Sequence, residues 1–555
     1  MPLLDWVNKA QATTAASEVP YHLLDFRSAH GAPSAENLLI QGDNLVALKA
    51  LVPLYRRSIR CVYIDPPYNT QSAFEHYDDK LEHSQWLSMM YPRLTVLRDL
   101  LNENGSIWVS IDDGEAHYLK VLMDDVFGRT GFVTSIVWQQ RTTRENRKAF
   151  SANHEYLLVY AKDRRRFEAS RNALDLDDEV RGRYKNPDND PRGPWQSVSA
   201  NAQAGHGTPS QFYSLVAPNG KRHQLPNGRC WLYTEPRMRE EIARGNIWFG
   251  RDGNGVPRVK KFLSAATQSL TPETLWLATD VGTNDFAKKH LVELFADAPL
   301  FETPKPESLI ARVLHIATSP GDLVLDSFLG SGTTAAVAHK MSRRWIGIEV
   351  GDHAVTHCIP RMEKVIGGEQ GGISAAVGWK GGGGFRFYTL GEPVFDAAGT
   401  IHPAVTFAGL AAFVWHFETG LASFDDAQDE RGRGAQDEPG GNAQDERRGS
   451  AQDVRGDSAQ AQREGNNASA RRGGASPYLG THDGVAYYLL YNGILGDKRP
   501  NGGNVLTAAV LDHLDSLGRH VGPRVIYGEA TRLGPARLKD LGITFKQIPY
   551  DLKVR

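Results

Sequence analysis

The stretch DLVLDSFLGSGTTAAVAHKMSRRWIGIEV, residues 322–350, reads as strand, glycine turn, helix and strand. An apolar run delivers Asp326 at a strand end. Gly330 and Gly332 then let backbone come close to a ligand, and a helix begins near Thr333 with its first N–H groups unpaired. Further on, Glu349 closes the next strand, where an acid can accept hydrogen bonds from ribose hydroxyls. Such turns bind nucleotides, and taken alone this one also suits a dehydrogenase-type cofactor or plain tight packing. It lacks the third glycine of the dinucleotide spacing, and the chain has no GxxxxGK[ST], so it is not an ATP-hydrolysing P-loop.

Outward from that unit the alternation continues. NLLIQGDNLVALKALVPLYRRSIRCVYIDPPY, residues 37–68, predicts a strand from Leu38 to Gln41, a helix with apolar Leu45, Leu48, Leu51 and Leu54, and a strand from Cys61 to Ile64. SIWVSID (106–112) and EYLLVYAK (155–162) flank the helical stretch GEAHYLKVLMDDVFG. Strands alternating with helices predict an α/β fold, a doubly wound, Rossmann-like, largely parallel sheet with helices on its faces. Its two halves are expected at 35–164 and 286–378, after an N-terminal extension at 1–34. Residues 165–285 lose periodicity and become rich in Gly, Pro, Asn, Arg and aromatics, the composition of an insert. A C-terminal region starts at 379–420. At 421–475, AQDE or AQDV recurs from Ala427, Ala435, Ala443 and Ala451 in a context nearly free of aliphatic residues, which predicts a linker. Residues 476–555 regain strand and helix patterning and predict a small α/β domain.

With 555 residues the chain is too long for one core, and its net charge of -2 announces no polyanion partner, so any nucleic-acid surface must come from local clustering. Cys61, Cys230 and Cys358 lie far apart without metal-ligand spacing, which predicts reduced thiols and no metal site. No signal-like leader and no long apolar run is present, so the expectation is a cytoplasmic protein with no membrane contact.

The chemistry is read from YIDPPYNT, residues 63–70. Pro66 and Pro67 cannot continue a sheet and hold a stiff, extended exit from it. The Asp65 carboxylate and a backbone carbonyl without a competing N–H are two acceptors able to face an –NH2 group, with the Tyr68 ring as a stacking plane. An amine conjugated to a base is a poor nucleophile, and two acceptors on its hydrogens stabilise positive charge developing on nitrogen. The plainer reading is a capped strand exit.

DPPY preceding the FxGxG turn of Phe328, Gly330 and Gly332 resembles the S-adenosylmethionine-dependent DNA amino-methyltransferases of the permuted group, in which the catalytic motif comes first. GDNLVALKAL, YIDPPYNT, HSQWLSMMYPRL, SIWVSIDD, FETPKPESLIARVL and VLDSFLGSGTT are similar, in that order over about residues 35–350, to the modification subunits of type III restriction-modification systems. The resemblance implies adenine N6 as the target, in a base flipped from double-stranded DNA, with cytosine N4 as the alternative. It implies that Asp65 and the Pro66 carbonyl accept from the amine beside Pro67, and that Tyr68 stacks on the base. It places Phe328, Gly330 and Gly332 along the methionine end of S-adenosylmethionine, Asp326 near its amino group, Glu349 on the ribose, Asp43 by the adenine, and Thr303 and Lys305 near the carboxylate. Asp43 reads equally as a helix cap, and Lys305 as surface charge. Leu329 departs from the small residue usual there. No metal or covalent intermediate is implied.

RTTRENRKAFSANHEYLLVYAKDRRR, residues 141–166, holds eight Lys/Arg against three Asp/Glu, either a solvated face or, beside a base-modifying site, a phosphate track. Arg141, Arg144, Arg147 and Lys148 are its DNA-binding candidates. The insert, with Arg181, Arg183, Trp195, Arg222, Arg229 and Trp231, is the target-recognition candidate, because Arg reads guanine edges and aromatics stack on bases. The partners implied are double-stranded DNA, a separate helicase/nuclease restriction subunit, and a second copy of the chain. A chain serving mainly as the specificity subunit for such a nuclease is the reading from another class.

Overall fold

The computed structural model describes residues 4–32, 35–69, 82–146, 149–176, 178–265, 269–295, 301, 303–396, 399–421, 476–517 and 520–552. The AQDE-repeat segment, from 422 onward, lies outside them. Ten strands form one sheet: β1 His22–Gly31, β2 Leu38–Gln41, β3 Ile59–Ile64, β4 Leu101–Ile111, β5 Phe132–Gln139, β6 His154–Ala161, β7 Leu275–Trp276, β8 Leu323–Asp326, β9 Arg344–Glu349 and β10 Gly384–Pro393. Their spatial order is β1-β10-β2-β9-β8-β3-β4-β6-β5-β7. The run from β10 to β4 is parallel, as the βαβ pattern requires. Beyond it β6 is antiparallel to both β4 and β5, and β1 is antiparallel to β10. The segment read as an N-terminal extension therefore supplies α1 (Lys9–Glu18) and one edge strand.

Parallel strands are buried on both faces, and side chains alternate between them. Leu38, Ile40, Val62, Ile64, Leu323, Leu325, Ile346 and Ile348 share one core with α1, α2 (Asn44–Tyr55), α3 (His83–Leu100) and α4 (Ala116–Phe127). The intervening Leu39, Cys61, Tyr63, Val324 and Trp345 are equally buried. They face the side on which α5 (Glu307–Ala317), α6 (Thr333–Lys340) and α7 (Ile359–Ile366) pack. Register pairs Leu325 with Val62, Asp326 with Gly347, Glu349 with Gln41 and Ile64 with Val109. The carboxyl ends of β2, β3, β4, β8 and β9 thus lie along one edge. Between β3 and β8 the winding changes direction, the place where open α/β sheets bind ligands.

Residues 172–272 form a separate compact unit, narrower than the 165–285 read from the sequence. Its strands are short, the longest pairing being Trp195–Ser199 with Arg258–Phe262. Its core gathers Ala200, Leu215, Trp231, Met238, Phe249 and Val259. Here two sequence expectations are corrected. Trp231 is 1% exposed with Nε1 donating to the Tyr213 carbonyl at 2.8 Å, and Trp195 is 4% exposed with Nε1 donating to Asp188 at 2.9 Å. Both rings hold the unit together and are not available to stack on bases, whereas Arg181, Arg183, Arg222 and Arg229 are exposed.

The C-terminal strands Tyr478–His482, Val485–Leu489, Arg524–Gly528 and Ile543–Gln547 form a four-stranded sheet. It shares a core with α8 (Phe407–Thr419), where Trp415, Leu410 and Val414 meet Leu479, Leu489 and Tyr527. Glu418 of α8 accepts from both Tyr527 Oη and Lys546 Nζ. Gly480 lies so close to the Trp415 ring that a Cβ there would meet it at 2.7 Å. Among the described residues, no helix is long and apolar enough to cross a membrane. Trp415→Ala is expected to destabilise this docked sheet by about 3–5 kcal/mol. Denaturant unfolding together with limited proteolysis of residues 476–552 should show it as an earlier transition at the C-terminal end.

Candidate active site

Beyond β3 the diproline holds residues 65–68 extended, and α3 anchors the exit, Trp86 Nε1 donating to the Pro67 carbonyl at 2.7 Å. Among the described residues no group donates to the Pro66 carbonyl. Tyr68 folds back so that its hydroxyl lies 2.8 Å from Asp65 Oδ1 and 3.0 Å from Glu155 Oε2. A hydroxyl has one hydrogen, so it serves one of these carboxylates at a time. Lys305 Nζ donates to Asp65 Oδ2 at 2.7 Å, lies 3.6 Å from Glu155 Oε2 and stands 5.0 Å from the centre of the Tyr68 ring.

Burial works against the Lys305 cation, yet the Asp65 and Glu155 carboxylates outweigh it and hold its pKa above the ordinary lysine value. The Tyr68 phenol is pushed well above its usual range, first by burial and then by the same two carboxylates. Glu155, at the head of β6, is 7% exposed and is fixed through Oε1 by Asn284 Nδ2 at 3.2 Å, which also reaches Gln140 Oε1 at 3.1 Å.

Across the β3–β8 boundary lies the glycine turn. Asp326 is 3% exposed, its Oδ1 accepting from the Phe328 N–H at 2.9 Å and its Oδ2 from Thr334 Oγ1 at 2.6 Å. Desolvation by burial pushes its pKa up to about 7, against the hydrogen bonds that pull it down. Gly330 (φ 54°) and Gly332 (φ 81°) take the left-handed conformation the turn demands, and Phe328 is half-buried beside them. Glu349 Oε2 accepts from the Gly330 N–H at 2.7 Å, so the acid at the end of β9 braces the turn. Leu329 is accommodated by a missing side chain opposite: a Cβ on Gly347 would meet Leu329 Cδ2 at 2.6 Å.

Behind the turn Arg361 Nη1 donates to Thr333 Oγ1 at 2.8 Å and to the Ser331 carbonyl at 3.2 Å, while Nη2 reaches Glu307 Oε1 at 2.9 Å. Glu307 begins α5, two residues after Lys305, so one buried carboxylate ties the lysine segment to the glycine turn. Lys340 also pairs with Glu307 and Glu369. His290, Glu307 and Glu369 bring three ligand-type atoms together, but Lys340 and Arg361 already neutralise the two acids, which makes the group an ion-pair network.

Of the residues singled out in the sequence, Asp65, Pro66, Pro67, Tyr68 and Lys305 meet at one place, and Asp326, Phe328, Gly330, Gly332 and Glu349 at the adjoining turn. Asp43 Oδ1 accepts from the Leu45 and Val46 N–H groups at 2.9 and 3.1 Å and its Oδ2 pairs with Arg93 at 2.9 Å, the helix-capping alternative. Thr303 is exposed. Arg141 and Arg144 stand on the loop joining Gln139 of β5 to its pairing partner His154 of β6, at the same edge, whereas Arg147 and Lys148 lie outside the described residues. On that loop Phe150 is 89% exposed. Glu155 was not singled out by sequence reasoning. Its signal, a lone acid opening the apolar strand EYLLVYA, was masked by the basic run around it.

Residues 59–359 match the family model described as DNA methylase, of the N6/N4 type. The chain is 34% identical to the type III restriction-modification enzyme StyLTI Mod subunit of Salmonella typhimurium, over 54% of this chain and 49% of that one. It is 30% identical to the EcoPI Mod subunit of Escherichia phage P1, over 60% of each chain, and 28% identical to the EcoP15I Mod subunit of Escherichia coli, over 61% and 62%. The chain therefore spans about half to three fifths of the length of these curated relatives. Among solved structures, the PvuII DNA methyltransferase (cytosine-N4-specific) aligns over 61% of this chain and 94% of that one, at 16% identity and a TM-score of 0.34. The family match covers both the DPPY exit and the glycine turn, and on it the chain belongs to the DNA methylase family of N6/N4 methyltransferases.

Proposed function

We propose that this chain methylates N6 of an adenine flipped out of duplex DNA, taking the methyl group from S-adenosylmethionine. The observation that carries the reading is the end of β3, where Asp65 and the Pro66 carbonyl, which accepts from no group among the described residues, stand beside the Tyr68 ring, one strand from the glycine turn. Two acceptors and one ring suit a flat base bearing an exocyclic amine, and a base must leave the helical stack to reach them. The turn suits the cofactor: a buried carboxyl at Asp326 for an ammonium group, an acid at Glu349 for hydroxyls, and Ser327 Oγ, buried without a hydrogen-bond partner among the described residues. S-Adenosylmethionine supplies a sulfonium methyl, an electrophile that needs no metal. The protein's part is to hold the amine in line with that methyl and to stabilise charge developing on nitrogen.

Asp rather than Ser before the prolines favours adenine over cytosine by resemblance. Mass spectrometry of nucleosides from treated DNA decides it: N6-methyladenine supports the reading, and N4-methylcytosine alone overturns it. The named relatives are Mod subunits of restriction-modification enzymes, so the proposal extends to a modification role in the cytoplasm beside a helicase/nuclease partner. Copurification from the host would reveal that partner. The exposed Arg141, Arg144 and Phe150 on the β5–β6 loop are proposed as part of the DNA face, and the 172–272 unit as the reader of sequence through its exposed arginines.

Asp65→Ala is expected to lower single-turnover methylation by about 10²–10³-fold while leaving cofactor affinity within a fewfold, because it removes a group aimed at the amine. Calorimetric titration beside a rapid-quench assay separates the two effects. For Asp326 the sign follows from a raised acid pKa. Between its usual value of 3.8 and about 7 the folded protein holds a proton that the unfolded chain lacks, so stability falls as pH rises through that window. Asp326→Asn is therefore expected to melt above the wild type at pH 8 and close to it at pH 4, while losing the cofactor. In the wild type, affinity for the cationic cofactor should strengthen as pH rises toward about 7. Replacing residues 172–272 with the matching unit of a relative should change the methylated sequence and leave the methylated atom unchanged, read by sequencing of modified bases.

A further inference from the structure

We propose that Glu155 is the terminal proton acceptor of the reaction, reached from the target amine through Asp65 and the Tyr68 hydroxyl. The proposal rests on the methyl-transfer reading above. When the amine nitrogen gains the methyl group, the electron pair of the broken sulfur–carbon bond stays on sulfur. The nitrogen, now four-bonded and positive, must then give up one proton. Each carboxylate oxygen of Asp65 has a second lone pair beyond the one used by Tyr68 or Lys305, so Asp65 can take that proton directly.

It does not keep it. Lys305 Nζ lies 2.7 Å from Asp65 but 3.6 Å from Glu155, so its tighter ion pair is with Asp65. The Tyr68 hydroxyl spans the two carboxylates at 2.8 and 3.0 Å. One concerted shift moves the proton of Asp65 onto Tyr68 Oη and the hydroxyl proton of Tyr68 onto Glu155 Oε2. No tyrosinate forms, which agrees with a phenol held well above its usual pKa. Atoms and charge balance: one proton leaves the amine, one arrives at Glu155, and Asp65 returns to the carboxylate that the next amine needs.

The titratable groups facing Glu155 are Asp65, Tyr63 and Tyr68 from β3 and its exit, and Lys305 from the segment before α5. Tyr63 is engaged with Ser110 at 2.7 Å and lies outside the path. Glu155 acts through Tyr68 and does not touch the base. Its other oxygen, held by Asn284 and through it Gln140, connects to the β5–β6 loop, the side from which the proton can return to solvent.

The test compares Glu155→Gln, Tyr68→Phe and the double variant in the full chain, with tritiated S-adenosylmethionine and DNA from an unmodified host. Gln keeps the hydrogen-bonding shape without a protonatable carboxylate, and Phe keeps the stacking ring without the hydroxyl. Each single variant is expected to slow multiple turnover at least tenfold, the step lost being the one that follows methyl transfer, with cofactor affinity and melting temperature close to wild type. The double variant should lose no more than the worse single one, because both break one path. The acid limb of the wild-type rate–pH profile should flatten in Glu155→Gln. A carboxylic-acid band in the infrared difference spectrum after one turnover should appear in the wild type and shift in Glu155→Gln, where the proton stays on Asp65. Unchanged rate and pH profile in Glu155→Gln, or multiplicative losses in the double variant, overturn the relay while leaving the methyl-transfer reading intact. A wild-type chain that methylates no DNA overturns both.

Discussion

The parallel pairing of β3 with β8, Cys61 beside Val324 and Val62 beside Leu325, is the constraint from which the rest of the site follows. These strands are remote in sequence, and at the same edge one leads into Asp65 and the other ends on Asp326. Pairing them sets the diproline exit against the glycine turn at one fixed spacing, where the sheet's winding reverses. Their apolar residues are almost wholly buried on both faces, so a slip of one residue would turn every side chain to the wrong layer. The cost of such a slip is what holds Asp65 and Asp326 in register.

The two aspartates meet different physics. Asp65 is paired with a cation and a phenol, Lys305 and Tyr68. Asp326 is buried with hydrogen-bond donors but, among the described residues, no cation, and burial raises its pKa to about 7. With its carboxyl held at about 7, Asp326 is poised to become charged when a positive ligand arrives. The network of Glu307, Arg361 and Lys340 links the two sites mechanically, since it fastens both the segment bearing Lys305 and the turn bearing Gly330 and Gly332.

The compact unit at 172–272 and the docked C-terminal sheet show a different economy. Each has a small core of its own, and in each a charged residue is spent on architecture: Lys260 between Asp188 and Asp190, Glu418 beneath Tyr527 and Lys546. Tryptophans there serve as packing, as Trp231 and Trp415 show at 1% exposure. Arg181, Arg183, Arg222 and Arg229 of the 172–272 unit stay exposed.

Local pattern was enough to read the parallel sheet, the strand–turn–helix around Gly330 and the diproline exit, because these rest on local period and on the backbone chemistry of Gly and Pro. It also marked Asp65, Tyr68, Asp326 and Glu349 as residues at strand ends or just beyond them. Tertiary structure alone decided which polar groups meet. Glu155 reaches Tyr68 only because β6 runs antiparallel beside β4, Lys305 reaches Asp65 across a separation of 240 residues, and Asp43 turns to capping because two N–H groups and Arg93 lie within reach. It also decided the fates of Trp195 and Trp231, whose aromatic character predicts core packing and base stacking equally well until burial separates them. A chain's local pattern reports which face of an element is apolar; which charges share a pocket depends on strand order and register, and those are settled only when distant segments pair.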